Sequence, residues 1–370
     1  MSTSGDRSFS LENEKYREKL TRQAIHMDQG VCYNPEYLAT RSMSLYPSRV
    51  AQIVRAVLLG ELEPSERGAD IVFGSILSAQ GERWQNFSED QSDFLHCAIL
   101  GRELFAKSGF PRARSKSDLE IPSRPERESL WAESIEVQGG DCFLFVDDAS
   151  FEYTGEAPKK LGSFLRSAGV SLRGYSSSST GFAFFAHGLV DDGIARLRDL
   201  VDELGAMGAS KILTVSGQAT YALTTLADEL GISRGFDVVD VLDVAGAIET
   251  RHAYVYGGSF YTRYLKKSAR LAELTRNSYE RPVPNSPEFF PLYDADRRIN
   301  GLNVWGSPIV PEYVNTHTSG DVLEKIRDAA LGEIARSSAS QLVICEPFAY
   351  NELNRAGRLK GAEYFWSLLA

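Results

Sequence analysis

The chain has 370 residues, of which 43% are hydrophobic and 24% charged, enough apolar material for two or three domains and too much for a disordered or fibrous protein. A net charge of -10 and a pI near 5.2 argue against nucleic acid or an anionic membrane as the main partner, because phosphate neutralisation needs clustered Lys and Arg. The longest apolar runs, such as Ala51 to Gly60, fall far short of the roughly 20 residues a bilayer span requires. The first thirty residues lack the apolar stretch of an export signal, so no membrane insertion and a cytoplasmic location are expected. The four cysteines, Cys32, Cys97, Cys142 and Cys345, form no CxxC pair and no evident disulfide framework.

Residues 1–25 read as a polar leader that orders only on a partner. From Pro47, PSRVAQIVRAVLLGE places Val50, Ile53, Val54, Val57 and Leu58 on one stripe, which predicts a helix stopped by Gly60. A second helix is expected from Glu89 to Lys107, ended by Gly109 and Pro111. Residues 112–127 hold two prolines and many charges and read as a linker closing a small helical domain over 26–125.

Beyond the linker, short apolar runs alternate with helical ones, the pattern of an α/β fold with a mainly parallel sheet. Strands are expected at 142–146, 170–175, 211–215, 252–257 and 341–345, and helices at 158–169, 193–208, 221–231, 262–276 and 321–337. The same order of elements recurs, which predicts two related lobes over 138–245 and 250–370.

Two strand ends carry a further signal. KILTVSGQATY and SQLVICEPFAYNEL each set a polar turn and a tyrosine directly after an apolar strand. This resembles the cysteine-rich CCG domain of the B-type component of heterodisulfide reductase, in which the strand runs into C-x-x-C-Y. The resemblance puts Glu346 and Ala349 at two cysteine positions of the second lobe, and Gly217 and Thr220, or a register two residues earlier, at those of the first. Ser179, Thr180 and Gly181 in YSSSSTGF match the CCG triplet, with Asp148 at the lone upstream cysteine. YVYGGSFYTR is similar to the family's H-D-P-C-H-x-x-R run, with Ser259 at the cysteine, Tyr256 at the histidine and Arg263 retained. Val304, Trp305 and Gly306 fall where the second triplet is expected.

The N-terminal part resembles the C-type component of the same enzyme, a ferredoxin-like domain with two four-cysteine motifs. Counted back from the PSRVAQ helix, the first motif falls on His26, Gln29, Cys32 and Glu36, and the second on Gly74, Leu77, Gln80 and Trp84. The resemblance thus implies a small helical ferredoxin-like domain followed by two CCG-type, Rossmann-like lobes, a fusion of the C-type and B-type components.

Iron-sulfur clusters are held by cysteine thiolates, and the family pattern takes about eighteen at four per conventional cluster. Of the four cysteines here, Cys32 alone falls on such a position. The resemblance therefore implies a non-catalytic chain without cofactors. Its expected partners are A-type, B-type and C-type relatives in a heterodisulfide reductase-like complex, such as the sulfur-oxidising variety that works with a lipoate-binding protein. His26, Cys32 and Glu36 are ligand types that zinc accepts, although surface or core filler is the simpler reading. Cys97, Cys142 and Cys345 read as buried small hydrophobes. The serine run 176–179 reads as a loop filling former cluster space, because it lacks the Lys of a phosphate loop. The alternative function is a small-molecule-binding protein or enzyme that reuses the cleft between lobes through Asp148, Ser179, His187, Glu346 and Tyr350. No GxSxG turn or Ser-His-Asp order accompanies them.

Overall fold

A computed structural model describes residues 9–23, 35–45, 47–79, 94–112, 119–248, 253–274, 308–336, 340–357 and 361–370. Among these, five helices form an N-terminal layer: α1 (Glu14–Gln23), α2 (Pro35–Thr40), α3 (Pro47–Leu58), α4 (Glu66–Gly74) and α5 (Phe94–Lys107). The apolar stripe expected on α3 is real, and its Val50 and Val54 pack with Val72, Phe73, Cys97 and Phe105. The leader differs from expectation. Leu20 is buried in this core, and Phe9 and Tyr16 in the neighbouring one with Leu100 and Phe185, so residues 9–23 pack on the body of the molecule rather than forming a free arm.

The expected linker also differs, because α6 (Pro125–Ser134) begins inside it. Pro125 sits in the first turn, where its missing N–H costs nothing. Arg127 then donates to the carbonyls of Phe151 and Gly155, and the Trp131 indole to that of Phe151.

The first sheet contains β1 (Cys142–Asp147), β2 (Leu172–Ser178), β3 (Lys211–Thr214) and β4 (Asp237–Asp240), all parallel, in the order β2-β1-β3-β4. Its connections carry α7 (Asp148–Tyr153), α8 (Ala157–Ser167), α9 (Phe182–Ala186), α10 (Val190–Ala206), α11 (Gly217–Tyr221) and α12 (Ala227–Glu229), the last two joined by a π-helical turn at Ala222–Leu226. Ser176 to Ser178 lie in β2 and pair with β1, so most of the serine run is edge strand rather than loop. The short α13 (Val241–Val244) follows β4, a strand the apolar pattern did not reveal.

The second sheet is parallel too, in the order β5 (Ala253–Tyr256), β6 (Gln341–Ile344), β7 (Ala362–Tyr364). The single helix expected over 262–276 is broken: a π-helical turn ends at Tyr264, Lys266 takes a left-handed φ of 54°, and α14 (Ser268–Leu274) restarts beyond it. Two longer helices, α15 (Gly320–Arg336) and α16 (Pro347–Arg355), flank β6.

Strand periodicity decides how the layers meet. Along β1, Phe143 and Phe145 face a core shared with Leu100, Phe185 and Leu197, which attaches the helical layer and α10 to the sheet. Leu144 and Val146 point the other way, with Leu213 and Val215. Val255 of β5, Val343 of β6 and the C-terminal Tyr364, Phe365 and Trp366 belong to that same second core, so one face of each sheet is buried in common. The opposite face of the second sheet, Tyr254, Tyr256, Leu342 and Ile344, packs on Ala330 of α15.

Candidate functional site

In parallel sheets the strands' carboxyl ends are the usual place for a ligand, because helix N-termini gather there. Here the chain's own side chains take those positions. Asp147 and Asp240 end β1 and β4, Ser216 and Glu346 stand two residues beyond β3 and β6, and each caps the next helix. Asp147 accepts from the Ser150 N–H at 3.3 Å and Ser216 from that of Ala219 at 3.0 Å. Asp240 accepts from the Leu242 N–H at 2.9 Å, and Glu346 from those of Phe348 and Ala349 at 3.2 and 2.6 Å. Such caps satisfy helix donors that would otherwise be open to an anion.

Asp148 is buried beside Asp147 and accepts from the Tyr313 hydroxyl at 3.1 and 3.2 Å, a bond that joins residues 165 apart in sequence. Burial, and then the Asp147 charge, push the Asp148 carboxyl up to about 7. Glu346 is raised to about 8, chiefly by burial, and Glu312 is also pushed up by burial and by Glu346. Asp147 rises for the same reason, against the pull of Ser216 and Ser150 hydrogen bonds. The Ser150 hydroxyl lies between Asp147 and Tyr364, and one Glu312 oxygen is buried without a hydrogen-bond partner. The strand ends therefore enclose an acidic seam whose carboxyls hold their protons to higher pH than usual.

A second network lies one strand over. The Thr220 hydroxyl is 2.8 Å from that of Thr214 and 3.0 Å from Asp240, which Lys267 reaches at 2.9 Å. Burial raises the Asp240 carboxyl and Lys267 opposes that rise.

The positions named from the sequence divide by location. Asp148, Ser179, Thr180, Gly217, Thr220, Ser259, Glu346 and Ala349 all stand at or just beyond the carboxyl ends of strands. Thr180 is buried and accepts from the Gln218 amide at 2.8 Å. Ser259 and Ala349 are fully buried. At Gly217 a Cβ would lie 2.9 Å from the Phe260 Cβ and 3.0 Å from the Tyr261 nitrogen, so a cysteine side chain does not fit there without a shift.

Gly74 and Leu77 meet the second half of the chain: Thr318 donates to the Gly74 carbonyl, Tyr264 to that of Leu77, and the Leu77 N–H to Val314. Glu36 is buried, with one carboxyl oxygen accepting from the Ile76 N–H at 2.6 Å, so that oxygen staples a loop. His26, Cys32, Gln80, Trp84, Val304 and Trp305 lie outside the described residues.

His187 faces His317, ring nitrogen to ring nitrogen at 3.0 Å, as a neutral donor–acceptor pair. Burial, then the Arg102 charge, lower His187 to about 4 and His317 to about 3. Tyr350 is half-buried against Tyr364, with ring centroids 5.4 Å apart. Cys345 is buried and its thiol is pushed far up by burial, which removes it as a nucleophile.

Sequence reasoning missed Asp147, Glu312, Tyr313, Asp240 and His317. The adjacent acids in FLFVDD offered a signal for Asp147, whereas nothing local marks Tyr313. Among the described residues, no group of three or more His, Cys, Asp or Glu side chains is placed to hold a metal ion, and no helix is long and apolar enough to cross a membrane. No family model, no curated protein and no solved structure matches the chain.

Proposed function

We propose that the chain is a non-catalytic, partner-docking component of a cytoplasmic heterodisulfide reductase-like complex of the sulfur-oxidising type, in which an ancestral cluster scaffold survives without its clusters. One observation carries the reading. The strand ends that the resemblance assigns to cysteine hold Asp148, Ser179, Gly217, Thr220, Ser259, Glu346 and Ala349, none of which supplies a thiolate. Neighbouring carboxylates and a serine cap the helices there, and Gly217 leaves no space for a longer side chain. Such a site does not suit an iron-sulfur cluster, and a fold can outlive the chemistry it once carried.

The alternative, a small molecule held between the lobes, gains less support. Asp148 and Glu346 are buried, and Phe348 packs against both Tyr153 and Tyr313 at ring distances of 5.4 and 5.0 Å, closing that side. The test is reconstitution: purified chain is mixed with purified A-type, B-type and C-type relatives from its host under anaerobic conditions and resolved by size. Co-elution in fixed ratio, with no iron or acid-labile sulfide on the isolated chain, is expected. Stoichiometric iron and sulfide on the lone chain, or elution apart from all three relatives, refutes the reading.

A further inference from the structure

Residues 308–318 form a strap that touches every layer. Asn315 donates to the Val310 carbonyl and accepts from the Glu312 N–H, so the strap holds its own shape. Tyr313 bonds Asp148, the first residue of α7 beyond β1, and its ring meets Phe348 of α16. Val314 accepts from Leu77 and Thr318 donates to Gly74, both in the helical layer, while His317 pairs with His187. Hydrogen bonds through Leu77 and Gly74 therefore tie the helical layer to the strap, and the strap is tied in turn to the strand ends.

The sheet side of this strap rests on acids. Asp148 faces Asp147, Tyr313, Ser179 and, across α7, Tyr153. Glu312 faces Glu346 and Tyr256. Glu346 in turn faces Asp147, Tyr364 and the first N–H groups of α16. The dominant neighbours of these carboxyls are thus hydroxyls, amides and one another. Lys267 is committed to Asp240 and Asp243, and Arg102 and Arg112 act on His317 at the far end of the strap. Unpaired buried charge is costly, so a seam of this kind closes with its acids protonated.

We propose that the seam is a proton-operated latch: uncharged carboxyls at Asp148, Glu312 and Glu346 hold the strap shut over the strand ends, and their ionisation releases it. The proposal is independent of the docking reading. Asp148 at about 7 and Glu346 at about 8 stand above their ordinary values, so the closed state binds extra protons and loses its advantage as pH rises toward and through those values. Above them the effect levels off.

Amide hydrogen exchange of the full chain, corrected for the intrinsic pH dependence, reads this directly. Protection of residues 308–318 is expected to fall roughly tenfold or more between about pH 6 and about pH 9, with α10 unchanged as an internal reference. In the variants Asp148→Asn and Glu346→Gln that fall shrinks, because an amide has no proton to lose. Tyr313→Phe steepens it, since the Tyr313 hydroxyl supports the ionised form of Asp148. Equal strap protection at both pH values in the wild-type chain overturns the latch, as does a loss shared equally by α10. An unchanged slope in folded Asp148→Asn and Glu346→Gln chains also overturns it.

Discussion

Gly162 shows how a single residue constrains the packing of α8. A Cβ there would lie 1.9 Å from the Ser134 carbonyl at the end of α6, far inside van der Waals contact with backbone that cannot swing away. Gly162→Ala gains up to about 1 kcal/mol in helix propensity but must force the two helices apart, at about 1–3 kcal/mol or more. A net loss of stability is expected in urea denaturation, and a stabilised variant would contradict the close approach. Gly258 plays a related part beside the seam, with a φ of 71° and a would-be Cβ 3.0 Å from the Glu346 side chain. Asp148, Thr220 and Glu346 could be singled out because each follows an apolar strand closely. Tyr313 could not, because its partner is 165 residues away.

Among the elements, α5 is held by a residue whose charge suggests solvent. Arg102 is fully buried and donates to the carbonyls of Phe73, Ser75 and Ala186, pinning the end of α4 and the end of α9 to α5. Burial lowers its pKa to about 9, so it remains charged near neutrality. Arg102→Ala strands these acceptors and is expected to cost about 3–5 kcal/mol. Arg102→Lys restores only part, because an ammonium lacks the planar fork. Urea midpoints of the two variants check this, and equal midpoints for wild type and Arg102→Ala would rule it out. Helix α6 and strand β4 illustrate why some elements stayed hidden. Two prolines and scattered charge mask the start of α6, whose capture depends on Arg127 and Trp131 bonding to distant carbonyls. The β4 run DVVD has only two apolar residues, and parallel pairing with β3 makes it a strand.

Across the whole molecule, two buried sets oppose each other in pH. The seam carboxyls have raised values, so their contribution is present in acid and lost as pH climbs toward about 7 to 8. His187 and His317 are lowered to about 4 and 3, so theirs is present above the ordinary histidine value and lost as pH falls toward those values. With unfolded carboxyls titrating near about 4 and unfolded histidines near about 6.5, the two sets oppose each other between those values, so unfolding free energy is expected to change little there and to fall from about pH 6.5 to about pH 8. A urea series across pH checks it, and a maximum at alkaline pH would show that the seam is not protonated as described. The sequence by itself determined the α/β class, the apolar strands β1, β3, β5 and β6 and the helices α3, α10 and α15, because each is written in a local period of two or of 3.6. Only the tertiary structure decided that both sheets bury a face in one core, that residues 9–23 pack, and that Glu312 and Tyr313 meet the strand ends. Those outcomes depend on contacts between distant parts of the chain and on the cost of leaving a buried polar group alone, neither of which leaves a local pattern to read.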